Sequence, residues 1–278
     1  IDSACDHCKL GYIPEPWKQR VAAACAGWQR SHYGWDVDPS IIRVVPDVLE
    51  AYEIFLRELV GAGNSVIVPT PAYMPFLSVP KLYDVDVIEI EMLQSGDAET
   101  GEAQWVFDFD AIERAFAAGC HAFVLCNPHN PIGKVLTLEE ELRLSDLAAQ
   151  YDVRIFNDEI HAPFVFEGKH IPFPTISEQA ALQSMTATSA SKSFNIPGTK
   201  CAQVLLTNPA DRDMWAVKAE WSEHQTATIG AIATTTAYNE GDLWFQDAFA
   251  YVRRNLALFD EQMRERFAGV GYIKPQGT

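Results

Sequence analysis

The sequence is poor in positive charge and has no long apolar run. Lysine and arginine together number 21 against 38 aspartate and glutamate residues, which gives a formal net charge of −17. A chain this acidic repels polyanions, so nucleic acid and anionic membrane surfaces are not expected as partners. No apolar stretch approaches the ~20 residues that span a bilayer, and we expect no transmembrane helix. The 278 residues are enough to bury a substantial core.

Neither a secretory signal nor a metal site is expected. The first residues have no basic segment followed by a long apolar stretch, so the cytoplasm is the predicted location. Cys5 and Cys8 have the spacing of a metal-binding pair, but no second Cys or His pair lies at the distance typical of a zinc finger. The other cysteines are expected to be reduced core residues.

Apolar segments with strand-like patterns alternate with amphipathic, helix-like segments along most of the chain. The predicted strands are 65–69, 85–92, 122–126, 154–157, 185–188 and 202–206. The predicted helices are 17–32, 46–60, 110–118, 138–151, 209–223, 229–239 and 243–267. This alternation predicts an α/β fold with a mostly parallel sheet that is covered by helices on both faces.

Lys192 lies just after one of these predicted strands, in a turn that is rich in hydroxyl side chains. Ser189 and Ser191 precede it, and Ser193 follows. Such a lysine suits a Schiff base to an aldehyde cofactor, and the hydroxyls could hold that cofactor's phosphate. The alternative is a surface lysine in a polar turn, the usual location for this residue type.

Two other predicted strands also end in polar residues. Asn130 lies in a turn of Asn, Pro and Gly residues after strand 122–126, and Asp158 directly follows strand 154–157. In an α/β sheet, ligands bind outside the carboxyl ends of the strands. Three successive strands that each lead to a polar side chain therefore predict one site formed by Asn130, Asp158 and Lys192.

These motifs together resemble the fold-type I pyridoxal-phosphate (PLP) enzymes, the aspartate aminotransferase superfamily. Within that superfamily, the sequence is most similar to the aminotransferase-like C–S β-lyases of the cystathionine β-lyase type. The segments that carry the resemblance are Leu10–Tyr12, Thr70–Phe76, Asn130–Gly133, Asp158–His161 and Ser189–Gly198. The resemblance runs over nearly the whole chain and implies PLP as the cofactor.

The resemblance also implies how the chain is divided. Residues 1–13 are expected to contribute to a partner subunit, 14–250 to form the large PLP-binding domain, and 251–278 to form a linker helix and the start of a truncated small domain. The arginine that holds the substrate carboxylate in this family is expected beyond residue 278. Tyr12 resembles a tyrosine that reaches the phosphate of the neighbouring subunit, so a homodimer is implied.

The roles of the residues around the cofactor ring follow from the resemblance. Lys192 would carry the cofactor, and Asp158 would lie beside the ring nitrogen, where a carboxylate favours the protonated form. Asn130 and His161 would face the phenolic oxygen, and Tyr73 would stack on the ring. A structural histidine and a core aromatic are the alternatives for His161 and Tyr73.

The resemblance assigns the phosphate to a second group of residues. Ser189 and Ser191 would supply hydroxyl donors. Lys200 occupies the place where many relatives have an arginine, and it would act as a point charge without a bidentate fork. Val44 and Val45 would donate backbone N–H groups from a loop at a helix N-terminus.

The predicted reaction is cleavage of cystathionine or another cysteine S-conjugate, an amino-acid substrate, to a thiol, pyruvate and ammonia. Lys192 would act as the general base on the α-proton. His161 stands where many aminotransferases of the superfamily have a tyrosine, which favours the lyase. Two alternatives stay open: a class I/II aminotransferase that uses the same residues, and a non-catalytic regulatory module, for which Arg43 in place of the family's usual glycine is one support.

Overall fold

The computed structural model describes residues 11–96, 103–267 and 270–278 of the chain. Within them the helices are α1 (Glu15–Tyr33), α2 (Val48–Phe55, continued by the π-helical turn Leu56–Val60), α3 (Met74–Ser78), α4 (Phe109–Ala117), α5 (Leu138–Gln150), α6 (Glu178–Gln183), α7 (Ala190–Ser193), α8 (Pro209–Lys218), α9 (Glu220–Glu223), α10 (Thr228–Glu240) and α11 (Asp242–Arg266). The strands are β1 (Ile42–Val45), β2 (Ser65–Thr70), β3 (Asp86–Glu91), β4 (Leu93–Ser95), β5 (Gln104–Val106), β6 (Ala122–Cys126), β7 (Arg154–Asp158), β8 (Ser184–Thr188) and β9 (Ala202–Leu205).

In the described part of the chain, seven strands form one sheet in the order β1-β9-β8-β7-β6-β2-β3. Strands β8, β7, β6, β2 and β3 run parallel to one another, whereas β9 is antiparallel to β8 and β1 is antiparallel to β9. The prediction of a mostly parallel sheet is therefore confirmed. Parallel strands bring their carboxyl ends to the same edge of the sheet, where a site is expected.

Helices cover both faces of this sheet, because all five residues of β6 are buried and they point alternately to the two faces. Val124 and Cys126 pack into a core cluster that includes Phe156. Phe123 and Leu125 point to the opposite face and pack into a second cluster with residues of α4 and α5. Because successive strand residues point to opposite faces, a strand that is apolar throughout must be buried on both sides.

The structure corrects the predicted conformation near the start of α2. Residues Ile42–Val45 form the edge strand β1 and not a loop, and they pair with Ala202–Leu205 of β9. Helix α2 begins after Asp47, whose Oδ1 accepts a hydrogen bond from the Glu50 N–H at 2.9 Å. An aspartate at this position satisfies one of the free N–H groups of the first turn, so Pro46 stays outside the helix.

Three further predictions concern the bounds of a helix, a domain boundary and the N-terminal segment. The predicted helix 209–223 divides into α8 and α9 at Ala219. The domain boundary expected between 250 and 251 stays a prediction, and the residues on both sides of it belong to α11, a helix of 25 residues. Of the N-terminal segment 1–13, residues 1–10 lie outside the described residues, and so does the Cys5–Cys8 pair.

The described residues contain neither a membrane-spanning helix nor a cluster of metal ligands. None of the described helices has the length and apolar composition needed to cross a bilayer. Across 11–96, 103–267 and 270–278, no group of three or more His, Cys, Asp or Glu side chains is arranged to hold a metal ion.

Candidate functional site

A cavity of about 190 Å³ lies at the carboxyl ends of β6, β7 and β8. The three residues expected to form one site, Asn130, Asp158 and Lys192, all line it. Five more residues that the sequence assigned to the cofactor also line it: Tyr73, His161, Ser189, Ser191 and Lys200. The structure therefore brings eight of the eleven predicted side chains together, although they come from segments more than 120 residues apart in the chain.

Asp158 is the buried acid of the cavity. It is the last residue of β7, stands opposite Cys126 of β6, and is 5% exposed. Burial raises the pKa of Asp158 to about 7, with a further increase from Glu159, while the Ile160 N–H and the Lys192 ammonium act in the opposite direction. Within the described residues Asp158 forms no salt bridge. A cationic group placed beside Asp158 in the cavity would therefore stabilise its charged form.

Lys192 lies on α7, a single helical turn that directly follows β8. Ser189 caps this turn, since its Oγ accepts a hydrogen bond from the Ser191 N–H at 3.0 Å and donates to the Cys201 carbonyl at 2.9 Å. The Lys192 side chain is solvent-exposed and has no salt-bridge partner among the described residues. It is therefore accessible to a ligand that enters the cavity.

His161 lies three residues after Asp158 and is half-buried. Burial, and secondarily the nearby Lys192 ammonium, lowers the pKa of His161 to about 4. At neutral pH the ring is therefore uncharged, with one nitrogen able to donate a hydrogen bond and the other able to accept one.

Asn130 is held by a closed turn after β6. The His129 N–H donates to the Lys134 carbonyl at 2.7 Å, and the Gly133 N–H donates to the His129 carbonyl at 2.8 Å. Asn127, in the same turn, accepts from the Leu136 N–H at 3.1 Å and donates to Glu141 Oε1 at 2.7 Å. The side chain of Asn127 is thus structural, whereas Asn130 faces the cavity.

Tyr73 precedes α3 and forms one side of the cavity. Its ring is half-buried and packs edge-to-face on Phe76, with ring centroids 5.6 Å apart at an interplanar angle of 87°. Phe76 is itself fixed in the core against Tyr52 and Phe156. An aromatic face supported in this way could cover a planar ligand ring.

Val44 and Val45, to which the sequence assigned the phosphate, do not contribute to the cavity. Val44 and Val45 lie in β1 and do not line the cavity, whereas Pro46–Leu49 do. The backbone N–H groups available at the N-terminus of α2 are therefore those after the Asp47 cap, which is where a helix attracts anions. The signal in the sequence was Asp47, a typical N-cap residue just after a proline.

Lys200 also lies at this end, in an ion pair that the sequence did not predict. Its Nζ is 2.7 Å from Asp47 Oδ2, and both side chains are exposed. Cys126, Ile160 and Cys201 complete the apolar part of the cavity. Sequence reasoning missed them, because residues of this type are far more often only core residues.

The structure does not bring Tyr12 to this cavity. Tyr12 is 90% exposed and pairs its backbone with Ala227. It lines a separate, mainly apolar cavity of about 860 Å³ with Trp221 and His224. A role for Tyr12 in the site of a neighbouring subunit stays a prediction.

Comparison with known proteins identifies relatives over almost the whole chain. A family model described as aminotransferase class I and II matches residues 13–278. A cystathionine beta-lyase of Corynebacterium glutamicum is 35% identical over 269 residues, which are 97% of this chain and 69% of that protein. Cystathionine beta-lyase PatB of Bacillus subtilis is 27% identical, over 98% of this chain and 69% of that protein.

A solved structure supports the same relationship. The crystal structure of a protein assigned as a PLP-dependent beta-cystathionase from Corynebacterium diphtheriae is 33% identical to this chain and superposes with a TM-score of 0.90. The match covers all of this chain and 70% of the other. This chain thus spans about 70% of the length of these relatives.

Proposed function

Because the chain belongs to the class I and II aminotransferase family, we propose that it is a PLP-dependent carbon–sulfur β-lyase. Its substrates are cystathionine or other cysteine S-conjugates, which it cleaves to a thiol, pyruvate and ammonia. The observation that carries this proposal is the presence of Lys192, Asp158, Asn130 and His161 around one cavity. A binding module has no need for a lysine, a buried acid and two ring-oxygen partners in this arrangement.

The residues around the cavity fit PLP. When bound, PLP supplies an aldehyde that captures amino groups and a protonated ring that withdraws electrons. Asp158 is a buried carboxylate without an ionic partner among the described residues, and its pKa is raised by that burial. A ring N–H⁺ beside it would restore the charge pairing that favours the carboxylate form. Asp158 would in turn keep that nitrogen protonated.

The remaining side chains divide between the ring and the phosphate. Asn130 can donate its amide N–H to the phenolic oxygen, and neutral His161 can donate a ring N–H to the same atom. Ser191 can donate its hydroxyl to the phosphate, and Ser189 can do the same once its hydroxyl turns away from the Cys201 carbonyl. Lys200 and the first turn of α2 add positive charge at that end.

Lys192 would hold the cofactor through its Nζ and, once displaced by the substrate's amino group, take the proton from the substrate's α-carbon. An exposed lysine with no salt bridge in the described chain can leave its resting position without breaking an ion pair. The neutral ring of His161 adds no further positive charge beside Lys192.

Incubation of the purified protein with cystathionine, PLP and no keto acid tests the reaction. Formation of pyruvate and a free thiol supports the lyase. Turnover that requires an added keto acid would instead establish the aminotransferase that shares these residues. Protein that takes up no PLP under the same conditions would leave only the non-catalytic module.

The assembly and location are also part of the proposal. A homodimer is supported by the exposed apolar surface at Tyr12 and Trp221, 90% and 76% exposed. The cytoplasm is supported by Cys25, Cys120, Cys126 and Cys201, all of which are free thiols. Light scattering of the purified protein would test the dimer.

A further inference from the structure

His129 has no role in the proposed chemistry, yet it is a buried histidine beside the candidate site. It is 3% exposed and lies immediately before Asn130. Its Nε2 is 2.8 Å from the carbonyl oxygen of Pro71, which lies two residues before Tyr73. One hydrogen bond thus joins the turn that carries Asn130 to the turn that carries Tyr73.

The direction of this hydrogen bond is set by chemistry. A carbonyl oxygen can only accept, so Nε2 must carry the proton and donate it. Burial lowers the pKa of His129, and the ring is therefore neutral at pH 7 with its single proton on Nε2. The ring is attached to a turn that is itself closed by two backbone hydrogen bonds between His129 and residues Gly133 and Lys134.

Strands β2 and β6 have little backbone pairing with each other in this sheet. In the described part of the chain, β2 and β6 are paired at a single residue pair, Ile67 opposite Phe123, whereas β2 and β3 are paired over six residues. Toward its carboxyl end β2 contains Pro69, which has no N–H to donate. The hydrogen bond from His129 therefore joins the two strand ends beyond the point where the backbone ladder between them stops.

We propose that His129 is a positioning residue that fixes Asn130 and Tyr73 relative to each other, so that the ring oxygen and the ring face of one cofactor are contacted together. This inference rests on the proposed function, because it assumes that these two side chains contact PLP. His129 itself touches neither the cofactor nor the substrate. Its effect is transmitted through the backbone of the two turns.

The test compares three variants of the purified protein. His129→Phe keeps a ring of similar size but loses the donor, whereas His129→Gln can place an amide N–H near the position of Nε2. His121→Phe is the matched control: His121 lies at the other end of β6, is exposed, and contacts the Tyr151 carbonyl through Nδ1 at 3.0 Å.

The first readout is cofactor binding and absorbance. For His129→Phe we expect the Kd for PLP to rise about tenfold, which corresponds to ~1.4 kcal/mol, the usual scale for one lost buried hydrogen bond. We also expect the absorbance band of the lysine-linked cofactor to titrate at a higher pH, with its midpoint raised by about 0.5 or more. The reason is that a weaker hydrogen bond from Asn130 leaves more negative charge on the ring oxygen. That oxygen then holds the proton on the Lys192 nitrogen more tightly. His129→Gln should restore both values, and His121→Phe should change neither.

The second readout does not need the cofactor. Hydrogen exchange measured by mass spectrometry on the PLP-free protein should be faster in both 70–76 and 127–134 for His129→Phe, and close to wild type for His129→Gln. Faster exchange in 127–134 alone, or a wild-type absorbance midpoint in His129→Phe, would overturn the inference. If wild-type protein forms no lysine-linked cofactor, the proposed function fails, but the exchange experiment still decides whether His129 couples the two turns.

Discussion

The ammonium of Lys200 lies 2.7 Å from a carboxylate oxygen of Asp47, at the end of the cavity where the phosphate is expected. Asp47 has a second role, because its other oxygen caps α2. The ion pair orients Lys200 toward the cavity but also places a negative charge near the proposed phosphate. The two effects can be separated by substitution.

Replacement of Asp47 by asparagine removes the charge and keeps a good helix cap. We expect Asp47→Asn to bind PLP about threefold more tightly at low salt, since Lys200 then has no competing partner, and we expect the gain to disappear at high salt, which screens exposed charges. Lys200→Ala should weaken binding by about fivefold. Fluorescence titration with PLP measures both. Weaker binding by Asp47→Asn would show that orientation of Lys200 matters more than its free charge.

Lys192→Ala should abolish covalent attachment of the cofactor. After borohydride reduction, mass spectrometry of the wild-type protein should find PLP on the peptide that contains Lys192, and the variant should carry none. Activity should fall by about a thousandfold or more, because the proposed general base is lost as well. Lys218→Ala is the control, an exposed lysine on α8 that pairs with Glu58. An adduct retained in Lys192→Ala would contradict the assignment.

We expect the free energy of unfolding of the PLP-free protein to depend on pH because of Asp158. Burial raises its pKa from 3.8 to about 7, so the folded state holds this proton more tightly than the unfolded chain. The stability from this group is present below its ordinary pKa and is lost as the pH rises through about 7. Asp158→Asn should therefore gain stability over wild type between about pH 5 and pH 8, on the order of 2 kcal/mol.

Urea denaturation of Asp158→Asn and of the wild type at about pH 5 and about pH 8 measures this gain. Asp146→Asn, at an exposed position of α5, should show no such trend. The same Asp158→Asn variant should bind PLP much more weakly, because an amide cannot neutralise a ring N–H⁺. A stability gain that is equal at both pH values would mean that burial of the charge is not the cause.

A second prediction about the pH dependence of stability concerns Glu141, which accepts a hydrogen bond from Asn127 in the turn that carries Asn130. Burial, with the charge of Glu159, raises its pKa from 4.5 to about 9, so the side chain is neutral at pH 7. Glu141→Gln should then be at least as stable as wild type at pH 7, and more stable above pH 9, because the stability from Glu141 is lost as the pH rises through about 9. Glu141→Ala should lose ~1–3 kcal/mol, since it leaves the Asn127 amide without its partner. Thermal or urea unfolding of the two variants compares them, and equal losses would contradict a neutral Glu141.

The sequence predicted the strands around the site well. Strand β6 has the predicted bounds, and β7 is one residue longer, at Asp158. Both are continuous apolar runs that end in turn residues, so local information is sufficient to find them. The start of α5 is also determined locally, because Thr137 caps the helix and forms a complete capping box with Glu140.

Strand β1 could not be found in this way. It has only four residues, and its partner β9 follows about 160 residues later in the chain. No local sequence pattern predicts a pairing between such distant segments. Residues 43–46 were therefore interpreted as a loop, and Val44 and Val45 were assigned to the phosphate for that reason. The hydrogen bond from His129 to the Pro71 carbonyl could not be predicted from the sequence either, because it depends on the distance between the ends of β2 and β6.

The position of Cys126 opposite Asp158 provides a built-in spectroscopic reporter. Its thiol is buried beside the carboxyl group and contacts the Pro128 carbonyl at 3.4 Å, and burial raises its pKa so that it stays an S–H group. The S–H stretching vibration falls in a region of the infrared spectrum that other protein groups leave clear. A difference spectrum against Cys126→Ser would therefore follow the charge of Asp158 through the electric field at the Cys126 thiol, without any label attached to the protein.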